Sequence, residues 1–343
     1  MRNKSLKILT IGGAVQDFTL QTDRGVVIDN AQNITQQKLV GFEFGAKINI
    51  KNADFTFGGG ATNSAVSLAK LGNTVSALIC VGRDILGDEI IRNLKDHKVR
   101  IELIQRSDLA SGVTVVLKNS NFNKEHVLFT SRGANSDLKI NTEFLPRHGR
   151  ANKLNFDMIY LTSLSSKKFK SNIAKIFRFK RDLAKLLARK NKIVKLAWNP
   201  GNLQIKMGLS GLRFYLKETD IFIVNKDEAI EICLEYKNKI RLNNIRELLK
   251  ILSEYCQGVV VITNGYKGAY AIYNKKIYYS ESCNVKVTDT TGVGDAFGST
   301  FSWALLITGY DIQKSLKFAI KNACSVLQKT GAQNGLLSVK DLK

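Results

Sequence analysis

The sequence predicts an α/β fold: a central, mostly parallel sheet between helices, with a small second sheet laid over one edge as a lid. Two observations carry the core. Apolar strand-like runs (ILTIGGAV, VSALICVG, DMIYLTSL, KIVKLAW, DIFIVN, GVVVITN) alternate with helical patterns such as ATNSAVSLAKLG, GDEIIRNLKD and KDEAIEICLEY. Strands joined by helical crossovers pair in parallel and are covered on both faces, which explains their unbroken apolar runs. A third observation predicts the lid. In GFEFGAKINIKNADFTF the apolar positions are Phe42, Phe44, Ala46, Ile48 and Ile50, then Ala53, Phe55 and Phe57. Period-2 alternation on both sides of Lys51 and Asn52 reads as a hairpin with one apolar face. The stretch GVTVVLKNSNFNKEHVLFTS reads as two further strands about an Asn-rich turn. Lid insertions are therefore expected at about 20–57 and 112–131. Such a sheet can cover a ligand beyond the carboxyl ends of the core strands, or serve as a dimer surface; both uses stay open.

The N-terminal MRNKSLKILTIGGAV imitates a secretory signal, but its apolar run is short and Asp17 soon follows. A first buried strand near 6–14 is the better account. No apolar stretch approaches the ~18 residues a membrane span requires. With 343 residues, two prolines, no internal repeat and no linker, one continuous domain over 1–343 is expected. Five scattered cysteines without CxxC spacing suggest neither a zinc site nor a disulfide framework, which fits a reducing cytoplasm. His97, His126 and His148 are isolated from one another and from the cysteines. The net charge of +23 raises the question of a nucleic-acid partner. The densest basic run, Lys167 to Lys192, carries Ile173, Ile176, Phe177, Leu183 and Leu187 at helical spacing, so a packed helix with a solvated basic outer face accounts for it better.

Four short motifs carry chemistry. TDTTGVGDAF sets Gly292, Val293 and Gly294 before Asp295 at the start of an apolar helix. Backbone amides there can meet an anion, and the helix dipole helps. The same dipole favours Asp295 in the first turn, so capping and catalysis explain the acid equally well on this motif alone. FGGGATN places Gly58 and Gly59 ahead of Asn63 at another helix start, either as a close ligand approach or as a tight turn. VNKDEA sets Asn225 and Glu228 three apart after a strand, where capping is the simpler account. ITNGYKGAY offers Thr263, Gly265 and Gly268 between two strands, a ligand turn or a bare hairpin.

In order and spacing, these motifs, with the closing KNACSVLQKTGAQNG, resemble the ribokinase and phosphofructokinase-B family of carbohydrate and nucleoside kinases over nearly the whole chain. The resemblance implies a ribokinase-like three-layer sandwich and a kinase using ATP and Mg2+ on a sugar or nucleoside. Asp295 matches the family's base, and Gly292, Val293 and Gly294 match its anion hole. Asp17, Gly58, Gly59 and Asn63 match the residues that hold the acceptor. Asn225 and Glu228 match the pair that organises magnesium. Asn199, Thr263, Gly265, Gly268 and Asn322 fall where the family binds the nucleotide. Asp289 and the Gly331 loop resemble the monovalent-cation (K+) site of some members. Arg132, in TSRGAN, is a candidate for an anionic group on the acceptor. A non-catalytic regulator of the same fold, or a nucleic-acid-binding protein, is the alternative reading.

The chain departs from ribokinase at two acceptor-facing positions. Val15 stands where ribokinase carries an asparagine, and Leu164 falls near its sugar-contacting glutamate. With a Phe-rich lid, these changes predict a less polar pocket, leaning toward a nucleoside or a less polar sugar derivative.

Overall fold

The computed structural model describes residues 5–29, 38–119, 126–140, 155–188, 192–235 and 243–342. The chain enters through β1 (Lys7–Ile11), leaves the core into β2 (Val15–Thr22), β3 (Val26–Asp29), β4 (Lys38–Gly41) and β5 (Asn52–Gly58), and returns by α1 (Gly60–Lys70) to β6 (Thr74–Leu78). After β7 (Cys80–Gly82), α2 (Ile85–Asp96) and β8 (Gln105–Ser107), it makes a second excursion, β9 (Gly112–Asn119) and β10 (His126–Ser131). Then come β11 (Met158–Leu161), α3 (Phe169–Ala188), β12 (Lys195–Trp198), α4 (Asn202–Ile205), α5 (Gly208–Lys217), β13 (Ile221–Asn225), α6 (Lys226–Ile232), α7 (Ile245–Tyr255) and β14 (Val259–Thr263). The chain closes with β15 (Ala269–Tyr273), β16 (Lys276–Ser280), α8 (Val293–Ile307), α9 (Ile312–Leu327) and α10 (Val339–Leu342).

Eight strands form the central sheet in the order β16-β15-β14-β13-β12-β11-β1-β6. The six from β14 to β6 run parallel, and the hairpin β15-β16 adds an antiparallel edge. Alternate residues of a strand face opposite ways, so β1 sends Leu9 and Ile11 into one apolar cluster and Ile8 into the other. The first cluster is closed by α3, α5, α6 and α7, the second by α1, α2, α8 and α9. The result is the three-layer α/β arrangement anticipated from the alternating runs. The basic run forms α3, which buries Ile173, Ile176, Phe177, Leu183 and Leu187 and leaves most of its charged side chains on the other face.

The lid is a four-stranded sheet in the order β10-β9-β2-β5. The pairing of β9 with β10 matches the second predicted hairpin; its turn, at 120–125, lies outside the described residues. The first hairpin is not formed. Residues 42–50 form no strand, and β5 pairs antiparallel with β2, from Val15 opposite Gly58 to Gln21 opposite Asn52. The alternation at 42–50 was a local signal; the partner of β5 came from a segment some thirty residues earlier, which periodicity cannot name. Residues 30–37, inside the first insertion, lie outside the described set, as does His148.

A second correction concerns the cysteines. Cys283 and Cys324 form a disulfide that ties the segment after β16 to α9. Two cysteines separated by 41 residues with no recognisable spacing gave no sign of it. Among the described residues no helix is long and apolar enough to cross a membrane.

Candidate active site

Asp295, Asn63 and the Gly58–Gly59 turn come together at the carboxyl ends of the parallel strands beside Asp17 of the lid. Asp295 lies in the first turn of α8, half-buried, and its Oδ2 accepts a hydrogen bond from Asn63 Nδ2 at 2.8 Å. Withdrawal from water pushes its carboxyl above the usual range, and the Asn63 amide opposes that rise. The preceding Gly292 is left-handed, at φ 72°, and a Cβ there would lie 2.2 Å from the Cβ of Ala332. Both constraints reserve the position for glycine. Gly292 caps α8 and Val293 and Gly294 open it, so their amides lie beside the Asp295 carboxylate; the Val293 N–H makes one long bond, 3.5 Å, to the Thr290 carbonyl.

Across from Asp295 stands Asp17 on β2, 4% exposed. Burial, together with the charges of Asp289 and Asp295, raises its pKa to about 6, against an opposing hydrogen bond with Thr114. Gly58 packs on this carboxylate: a Cβ there would lie 2.1 Å from Asp17 Oδ2. Any side chain would therefore displace the acid. Gly59 caps α1, which delivers Asn63 one turn later. These four expected residues are brought together with Asp295.

Asn63 itself is 4% exposed and held from behind. Its Oδ1 accepts from Gln333 Nε2 at 3.0 Å, and Gln333 Oε1 accepts from Asn93 Nδ2 at 2.9 Å. A carboxylate only accepts, so it forces Asn63 to present its NH2 group. That choice propagates outward through Gln333 to Asn93. Neither Gln333 nor Asn93 was anticipated. Gln333 sits in the closing KTGAQNG motif and Asn93 on α2, and no local pattern ties them to a site.

At the other end of the sheet, Asn225 and Thr263 face each other at the ends of β13 and β14. Asn225 and Glu228 form a reciprocal cap: Glu228 N–H donates to Asn225 Oδ1 and Asn225 N–H donates to Glu228 Oε2, each at 2.8 Å. Burial raises the Glu228 carboxyl, with the Asn225 amide opposing it. Its Oε1 carries no hydrogen bond among the described residues, so one oxygen of this acid remains to meet a hydrated divalent cation, and the pair fits that expectation. Gly265 and Gly268 form the turn between β14 and β15, beside Ser280 and Glu281. Asn199 directly follows β12 and donates to the carbonyl of Ile223 at 2.9 Å. A groove of about 560 Å³ adjoins this turn, with Ser280, Cys283, Lys321 and Cys324 in its lining. It lies off the Asp295 centre, beside the turn where the nucleotide is expected.

Asn322 does not join them. It is fully buried, donating to Thr300 Oγ1 at 2.6 Å and accepting from Leu337 N–H at 2.9 Å. Its amide ties α9 to α8 and to the chain beyond, away from any open surface. Arg132 is exposed at the base of the lid, just after Ser131, which pairs with Val113. Its guanidinium makes no ion pair among the described residues.

The lid corrects the expectation of an apolar pocket around Asp17. Asp17 is in register with Thr56 and Thr114, and Thr114 with Thr130, so these side chains share the inner face. Phe18 and Phe55 stack edge-on at 5.1 Å on the opposite face. Leu164 is 2% exposed and belongs to the apolar core. Val15, Val116 and Leu128 share the inner face by register, so the surface is hydroxyl-bearing immediately around Asp17 and apolar on either side of it.

Asp289 is held by donors. Oδ1 accepts from the Thr291 N–H at 3.0 Å and the Thr291 hydroxyl at 2.8 Å; Oδ2 accepts from Gly331 N–H at 3.0 Å and lies 3.5 Å from Lys118 Nζ. Burial acts to raise its pKa, but the Gly331 and Thr291 donors and the Lys118 charge bring it below the usual range.

A half-buried acid at a glycine-led helix start, facing a second, buried acid beneath a small sheet, is the arrangement of a small-molecule kinase with an alcohol acceptor. Residues 24–339 match the family described as pfkB family carbohydrate kinase, and the chain belongs to that family. It is 26% identical over 292 residues to the ribokinase of Schizosaccharomyces pombe, covering 83% of this chain and 85% of that one. The fold is similar to that of Arabidopsis thaliana ribokinase complexed with ribose and ATP, at TM-score 0.74 and 18% identity, over 99% of this chain and 98% of that one. It is similar also to a Methanocaldococcus jannaschii nucleoside kinase of the ribokinase family, at TM-score 0.73 and 20% identity, over 99% and 97%.

Proposed function

We propose that the protein transfers the γ-phosphoryl group of ATP to a hydroxyl or hydroxymethyl group of a sugar or of the ribose of a nucleoside. The observation that carries this reading is the desolvated Asp295 at the start of α8, flanked by the amides of Gly292 to Gly294 and facing Asp17 across Asn63 and Gly58. Asp17, Asn63 and the Gly58–Gly59 backbone hold the acceptor's hydroxyls. Asp295 receives the proton of the hydroxyl that attacks.

An aspartate with an ordinary pKa of ~3.9 cannot deprotonate an alcohol in advance. It need not. Phosphoryl transfer is loose, so the new O–P bond forms as the bond to the β-phosphate oxygen breaks, and the proton passes to Asp295 late. ADP leaves with the electron pair of the broken bond. The amides of Gly292 to Gly294 stabilise charge on the equatorial oxygens. The nucleotide lies along Asn199, Thr263, Gly265 and Gly268, its base toward the adjoining groove. Asn225 and Glu228 would hold Mg2+, which supplies positive charge to the phosphates. Closure of the lid excludes water, which otherwise competes as acceptor.

The threonines beside Asp17 favour a polyhydroxyl acceptor, and the names of the relatives, ribokinase and nucleoside kinase, agree with a pentose moiety. Arg132, at the lid base, would meet an anionic group on such an acceptor. The apolar outer face of the lid, with Phe55 62% and Phe129 58% exposed, suits a second copy of this chain. The test is ADP formation from ATP and Mg2+ against a panel of sugars and nucleosides. One class of acceptor should raise ADP formation far above the acceptor-free rate. ATP binding with no acceptor-dependent turnover across the panel would sink the reading.

A further inference from the structure

The resemblance leads one to expect a free monovalent cation at Asp289 and the Gly331 loop, and the residues do not fit that expectation. A carboxylate offers about four lone-pair sites. At Asp289 they face Thr291 N–H, Thr291 O–H, Gly331 N–H and the Lys118 ammonium. The loop turns its amide, a donor, toward the acid, and donors do not ligate cations. Three of these sites are taken by hydrogen bonds, and the fourth faces an ammonium whose charge repels a second cation.

We propose that Lys118 is a tethered replacement for that cation. It fixes the segment leading into Gly292 to Gly294 and makes the enzyme indifferent to potassium. Three observations converge. Asp289 is 6% exposed and Asp17 4%, and both lie close enough to interact with each other, as Asp17 does with Asp295. Three carboxylates in one desolvated site need a compensating positive charge, all the more when an anionic nucleotide arrives. Among the described residues the ammonium that meets Asp289 is Lys118, whose own side chain is 28% exposed. Asp289 in turn bonds Thr291, the residue before Gly292, so its position sets where the glycine amides point.

The source of the charge has a mechanical consequence. A soluble cation would order this segment whatever the lid does. Lys118 belongs to β9, in register with Gln21 of β2, and so moves with the lid sheet. Thr56 of β5 meets Gly331, where a Cβ would lie 2.7 Å from Thr56 Cγ2, so two lid strands touch the bonded pair of Asp289 and Gly331. Lid closure and ordering of the glycine segment are thereby one event. Lys118 is a positioning residue, acting through Asp289.

The effect on turnover rests on the kinase reading, but the response to cations does not, so two readouts are needed. Thermal unfolding of the full chain is measured in choline, sodium and potassium chloride at equal ionic strength. The wild type is expected to unfold at one temperature in all three. Lys118→Ala should lose about 5 °C in choline and regain much of it, saturably, in potassium or ammonium, while Lys118→Arg should not respond. Where an acceptor is turned over, kcat of Lys118→Ala should fall about tenfold in choline and recover with potassium. Specific stabilisation of the wild type by potassium would overturn the proposal, and this arm requires no variant to fold. So would a Lys118→Ala protein equal to the wild type in every salt. Loss of turnover with all acceptors, alongside the expected cation response in unfolding, would sink the kinase reading and leave the role of Lys118 standing.

Discussion

Asn63 Nδ2 donates to Asp295 Oδ2 at 2.8 Å, across 232 residues of sequence. This bond aims the acid that the proposed transfer depends on. Replacing Asp295 by Asn removes the proton acceptor yet keeps shape and most hydrogen bonding. Turnover should fall by about 10²–10⁴-fold, the usual contribution of a positioned base. Affinity for a non-hydrolysable ATP analogue, measured by calorimetry, should stay within about threefold, because Asp295 stands away from the nucleotide turn. Near-normal turnover would remove Asp295 from this role.

Gln333 orients Asn63 from behind, so Gln333→Leu should release the Asn63 amide to rotate. We expect kcat to fall about tenfold, the price of misaligning one reacting group. The pH profile separates this from packing damage. The Asn63 N–H lowers the Asp295 pKa, so loosening it should raise that pKa and move the acidic limb of kcat to higher pH. A lower kcat with an unmoved limb would assign Gln333 to packing.

Asp17 trades stability for function. Its folded pKa of about 6 lies above its ordinary value of 3.8, so the native state holds the proton more tightly than the unfolded chain does. Stability from this group is full below pH 3.8 and is lost as pH rises toward 6. The loss is about 3 kcal/mol at neutral pH, as an order of magnitude. Asp17→Asn should therefore raise Tm at pH 8 and change it little at pH 4, while raising the acceptor KM. A variant equally destabilised at both pH values would contradict this account.

Phe55→Glu tests the outer face of the lid. If that face seats a second copy, the charged residue should convert a dimer to a monomer in sedimentation, with kcat changed by less than about twofold, because Phe55 points away from Asp17. A monomeric wild type would dismiss the interface.

The sequence by itself determined the layers and named most of the residues that meet at the candidate site. Alternating apolar runs dictated the parallel sheet because crossover-linked strands must be covered on both faces. Glycine positions were legible because few other residues fit: Gly292 needs a left-handed backbone, and Gly58 must leave room for Asp17. What tertiary structure decided were pairings at long range. The partner of β5, the Cys283–Cys324 bond, the amide relay from Asn93 to Asp295, and the meeting of Lys118 with Asp289 all join distant segments. Asn322 carries the same lesson in reverse. A motif put it among the nucleotide residues, and packing turned its amide toward Thr300 and Leu337. Local spacing records which conformations a segment prefers, whereas the direction of a side chain on a packed element is fixed only by what the rest of the chain sets against it.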